Sequence, residues 1–60
     1  MSEIISKRDV ARILKVSSAT VQRLYESGKI KSFRIGRLVK FREIDVADFV
    51  EKQLNEGKSA

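Results

Sequence analysis

Val10, Ile13 and Leu14 stand at i, i+3 and i+4, and Val21, Leu24 and Tyr25 repeat that spacing further along. The first half of the chain therefore reads as two short amphipathic helices, each with one inward stripe. Ser6 precedes the first stripe and Asp9 follows three residues later, the signature of a capping box, with Ile5 and Val10 placed as a hydrophobic staple. These signals predict a helix from about Lys7 to Leu14, in which Ala11 is small enough for close helix packing. Ser17 offers a second cap with Val16 and Val21 in the same staple relationship, and Gly28 a left-handed stop, which predicts a second helix from about Ser18 to Ser27. Two such helices joined by about three residues form a helix-turn-helix.

The period changes to two after Ile30. Phe33 and Ile35 alternate with Ser32 and Arg34, and beyond Gly36-Arg37 the residues Val39 and Phe41 alternate with Lys40 and Arg42. This predicts a hairpin with Gly36 first in a two-residue type II′ turn. Phe33, Ile35, Val39 and Phe41 are expected to lie on the helices, with Arg34, Lys40 and Arg42 on the outer face and Arg37 at the tip. Glu43-Ile44-Asp45 places negative charge at a helix start. Val46, Phe49, Val50 and Leu54 then give a third stripe that closes the core. The expected class is α+β, a small winged helix-turn-helix with element order α-α-β-β-α, occupying residues 1–54. Residues 55–60 are polar, contain Gly57, show no periodicity and are expected to form a flexible tail.

Charge sharpens this outline. The net charge is +5, but from Lys7 to Arg42 eleven Lys or Arg face only Asp9 and Glu26, whereas from Glu43 onward five acidic residues outnumber Lys52 and Lys58. One contiguous basic segment suits a polyanion that gives up its counterions. Cysteine and histidine are both absent, which removes disulfides, thiolate metal sites and the commonest general base. With 60 residues there is no room for a catalytic domain besides the core. No catalytic residue, metal ligand or cofactor is expected. Tyr25 shares the register of Val21 and Leu24 and reads as core, and Asp45, Asp48 and Glu51 read as a solvated face. Neither a leader pattern nor an apolar run of membrane-spanning length is present in the sequence, so a cytoplasmic, nucleoid-associated protein without a membrane partner is expected.

In a helix-turn-helix the second helix enters the major groove of double-stranded DNA with its early outward side chains on base edges. Here these are Ser17, Ser18, Ala19, Gln22, Arg23 and Glu26, of which positions 18, 19, 22, 23 and 26 fall away from the Val21-Leu24-Tyr25 stripe at 100° per residue. Gln22 carries the donor and acceptor suited to adenine, Arg23 suits guanine or phosphate, and the serines can donate to phosphate. In the wing, Arg34, Arg37, Lys40 and Arg42 are the candidate contacts, with Arg37 aimed at a minor groove. Leu38 reads equally as a wedge or as packing. A protein-interaction module or antitoxin that uses its charge on an acidic partner is the reading from another class.

The run from Val10 to Ile30 (VARILKVSSATVQRLYESGKI) closely resembles the helix-turn-helix of the excisionase family, related to MerR-type regulators. Phe33-Arg34-Ile35-Gly36-Arg37, Val39-Lys40-Phe41-Arg42 and Asp45-Val46 to Phe49-Val50 resemble that family's wing and closing helix, so the likeness spans about Ile5 to Val50. It implies an excisionase of phage, plasmid or mobile-element origin. Such a protein binds repeated sites cooperatively, associates with itself on DNA, bends the duplex and helps an integrase or other recombinase partner excise. The alternative within the family is a small transcription regulator. Ile44 and Leu38 depart from the usual pattern and are expected to be exposed; for Ile44, contact between neighbouring protomers and packing at the base of the wing are equal readings.

Overall fold

The computed structural model describes residues 3–58. The elements run β1 (Ile4–Ser6), α1 (Lys7–Leu14), α2 (Ser18–Glu26), β2 (Phe33–Ile35), β3 (Leu38–Arg42) and α3 (Glu43–Lys58). This is the expected winged helix-turn-helix with one strand more than the sequence reading has. β1 pairs antiparallel with β3, and the three-stranded sheet has the order β1-β3-β2. Three residues are too few for an alternation signal, and this strand exists only through its distant partner.

The capping box at α1 is complete: the Ser6 N–H donates to Asp9 Oδ2 (3.1 Å) and the Asp9 N–H to Ser6 Oγ (3.2 Å). Ser6 thereby ends a strand and starts a helix in one residue, which pins α1 against the sheet. Both α1 and α2 end in a Schellman motif. After α2, Lys29 N–H donates to the Leu24 carbonyl (2.9 Å) and Gly28 N–H to that of Tyr25 (3.2 Å), with Gly28 at φ 81°. After α1, Val16 N–H donates to Ala11 (3.0 Å) and Lys15 N–H to Arg12 (3.3 Å), but the left-handed residue is Lys15, at φ 57°. A side chain there is strained where glycine is not. Lys15→Gly is therefore expected to stabilise the fold by about 0.5–1 kcal/mol, read as a rise of a few degrees in Tm; an unchanged or lower Tm would contradict it.

The core gathers Ile5, Val10, Ala11, Val21, Ile30, Phe41 and Val46, with Leu14, Leu24, Tyr25, Val39 and Phe49 packed at its margin. Every element except β2 contributes a buried residue. Tyr25 of α2 meets Phe41 of β3 edge-on, ring centroids 5.7 Å apart, so α2 seats directly on the inner face of the sheet.

The hairpin corrects the expected facing of β2. Ile35 pairs with Leu38, Arg34 with Val39 and Phe33 with Lys40. Directly paired residues share a face, so Phe33 and Ile35 lie with Leu38, Lys40 and Arg42 on the outer face. Arg34 lies with Val39 and Phe41 on the inner one. A two-residue turn forces this phase, because it sets the residue before the turn against the residue after it. Gly36 alone in the turn has positive φ (62°), as a type II′ turn requires.

Two ends of the expected stripes are also open: Ile13 and Leu54 are half exposed instead of buried, and with Val16 they border a shallow apolar groove between α1, α2 and α3. The third helix does not stop near Leu54. Residues 55–58 of the expected tail continue it, and residues 59–60 lie outside the described residues.

Candidate nucleic-acid interface

Ser17 caps α2 through its side chain, which accepts from the Thr20 N–H (3.2 Å) and lies 3.1 Å from the Thr20 hydroxyl. The first turn of α2 contains no acidic residue, so the positive end of the helix dipole is unopposed by its own side chains and favours an anion. Val21 is fully buried while Ser17, Ser18, Ala19, Gln22, Arg23 and Glu26 are all exposed. The inward stripe thus leaves all six candidate residues on the solvent side. Gln22 Nε2 donates to Glu26 Oε2 (3.2 Å) one turn on, which holds the two side chains along the helix and orients the Gln22 amide.

An exposed α2, a three-residue turn after α1 and the hairpin behind it complete the geometry. A family model described as a helix-turn-helix domain matches residues 5–54. The chain belongs to the helix-turn-helix domain family. No curated protein and no solved structure matches it. Membership supports DNA binding, and the exposed α2 is the element that a helix-turn-helix presents to a duplex.

The wing cations of this helix-turn-helix do not form the single outer row expected from the alternation. Arg34 leaves the sheet on the inner face, where Phe41 meets Tyr25, and so lies on the side that carries α2. Lys40 and Arg42 leave it on the opposite face. Arg42 is moreover held by Asp45, its Nε donating to Oδ2 (2.8 Å) and a terminal nitrogen to Oδ1 (3.0 Å). Both charges of this two-pronged pair are already answered within the fold. Arg37 is exposed in the turn.

Two cations that the sequence reading did not single out join the wing. Pairing of Ser6 with Lys40 brings the start of α1 beside the hairpin, and Lys7, Arg8, Arg37 and Lys40 border one shallow depression. Only the β1 pairing reveals this, so nothing local in the sequence points to it. On the other flank, Lys29 and Lys31 share a cleft with Asp45 and Asp48 of α3, and Arg12 pairs with Asp9 (2.9 Å). Outside α3, and among the described residues, the cations with neither an ion pair nor a place in that acidic cleft are Lys7, Arg8, Lys15, Arg23, Arg34, Arg37 and Lys40.

The hydrogen bonds from Arg42 hold the Asp45 carboxyl below the ordinary carboxylate range. Asp9 is lowered chiefly by the backbone bond from Ser6, then by the Ser6 side chain, with smaller help from the Arg12 and Lys40 charges. A carboxylate whose pKa is depressed on folding stabilises the fold above its unfolded pKa of about 4, and that contribution is lost as pH falls through the folded value. Urea unfolding below about pH 4 should therefore lose stability as protons are added, and Asp45→Asn should flatten that acid limb. A limb of identical steepness in the variant would contradict the pairing.

Among the described residues, no helix is long and apolar enough to cross a membrane.

Proposed function

We propose that the chain is a sequence-specific binder of double-stranded DNA that places α2 in the major groove and its hairpin on the adjoining backbone and minor groove. It acts there as an excisionase. Its role is architectural: copies bind repeated sites side by side, bend the duplex and bias an integrase toward excision, with no catalytic step of their own. The observation that carries the DNA reading is the outward stripe of α2, exposed at Ser18, Ala19, Gln22, Arg23 and Glu26 in a helix whose first turn holds no acid. The resemblance from Ile5 to Val50 supports the excisionase role. A single helix-turn-helix domain also offers a small footprint and gains from neighbours on the same duplex.

Gln22, aligned by Glu26, is the first candidate for reading a base. Gln22→Ala is expected to relax preference at one base pair, costing roughly 1–3 kcal/mol on the preferred duplex and little on others. Binding of the variant to a library of single-base changes checks this; an unaltered ranking would remove Gln22 from base readout. The small transcription regulator shares the same interface, and a paired assay separates the roles. An excisionase raises excision when supplied with the integrase encoded beside it, whereas a regulator changes a reporter's output with no recombinase present.

A further inference from the structure

Ile35 and Leu38 are the last cross-strand pair before the turn, and both leave the sheet on its outer face. They are 52% and 60% exposed, and the core lies on the other side of the sheet. Neither contributes to the core cluster or to its packed margin. Two large aliphatic side chains directly opposite each other at a projecting tip form a small continuous apolar surface. The cations around it are Arg37 in the turn itself and Lys40 one pair further back on the same face. An apolar tip collared by positive charge matches a duplex, whose rim of phosphates is anionic and whose base faces are apolar once a step unstacks.

We propose that Ile35 and Leu38 are an apolar wedge that enters the minor groove of the bound duplex and couples binding to bending. This rests on the DNA reading above and adds to it the residues that deform the DNA. Arg37 and Lys40 are drawn to the phosphates that rim the groove, which brings the tip to its mouth. The minor groove of B-form DNA is about 6 Å wide, and paired strands already stand about 4.8 Å apart before side chains are added. The pair enters only where the groove opens and a base step partly unstacks, which kinks the duplex toward the major groove. Steps that unstack most easily, TA and CA/TG, are then preferred beneath the tip without any hydrogen bond to them.

The test uses the full chain and the tightest duplex that the wild-type protein recovers from a randomised pool, labelled at both ends for fluorescence energy transfer. The wild-type protein is expected to bend this duplex and to recover TA or CA/TG steps at one fixed distance from the site read by α2. Ile35→Thr/Leu38→Thr keeps strand-compatible residues at exposed positions. It is expected to bind within about tenfold of wild type while losing more than half of the transfer change and the step preference. Leu38→Thr alone, at the more exposed position, should lose part of both. Thermal unfolding of the variants should match wild type, which separates a lost wedge from a lost fold. If the wild-type chain recovers no duplex at all, the DNA reading itself falls and takes the wedge with it. If it binds and bends but the double variant bends equally, only the wedge falls. Association of the wild-type chain with anionic phospholipid vesicles, or with itself without DNA, abolished by the same substitutions, would also overturn the proposal.

Discussion

Raising salt from 50 to 200 mM is expected to weaken duplex binding by about three orders of magnitude, because each neutralised phosphate adds about 0.9 to the slope of log affinity against log salt. The structure indicates which charges enter. Arg42 and Arg12 are ion-paired, and Lys29 and Lys31 face the acids of α3. The remaining cations on α1, the turn, α2 and the wing set a slope of order −4 to −6, about five to seven contacts. Arg37→Ala should lower the magnitude of that slope by about one, while Arg42→Ala should leave it nearly unchanged because Asp45 holds that guanidinium. Titrations at four salt concentrations measure both. An affinity indifferent to salt would refute the polyanion reading, and equal losses of slope in the two variants would show that Arg42 exchanges Asp45 for phosphate.

Phe41→Ala is expected to unfold the chain at 25 °C. Phe41 is fully buried, pairs with Ile5 across the sheet and carries the edge-on contact with Tyr25, so it joins β1, β3 and α2 in one side chain. Truncating such a residue costs about 3–5 kcal/mol. A domain of this size has only about 3–9 kcal/mol in total, at roughly 0.05–0.15 kcal/mol per residue. Loss of the cooperative transition in circular dichroism is the expected result, against a change within about 0.5 kcal/mol for Leu38→Ala at the exposed tip. A Phe41→Ala variant melting within a few degrees of wild type would mean that the core does not centre on this ring.

Local signals carried most of the outline. The caps at Ser6 and Ser17, the stop at Gly28 and the turn at Gly36 each depend on a few neighbouring residues, and each fell where the sequence placed it. What depended on pairing across the chain was harder to read. β1 has no pattern of its own, and without it Lys7 and Arg8 have no reason to approach the wing. The facing of Phe33 and Ile35 was legible in principle, since a two-residue turn already fixes the phase of both strands. Hydrophobicity suggested that they point inward, and the backbone register prevailed. Five of the six candidates, Ser18, Ala19, Gln22, Arg23 and Glu26, stood out because helical periodicity alone separates them from the Val21 stripe, and Ser17 stood out as the cap. The Arg42 pairing did not, because an alternating strand gives no sign that its last cation turns to the helix that follows.

The two lateral strands of the sheet, β1 and β2, have three residues each, and the longer β3 lies between them. Strand-by-strand polymerisation needs a long unpaired rim as its template, and rims this short expose few free amide and carbonyl groups. The chain should accordingly stay clear of fibril growth even when crowded at high local concentration along a nucleic acid.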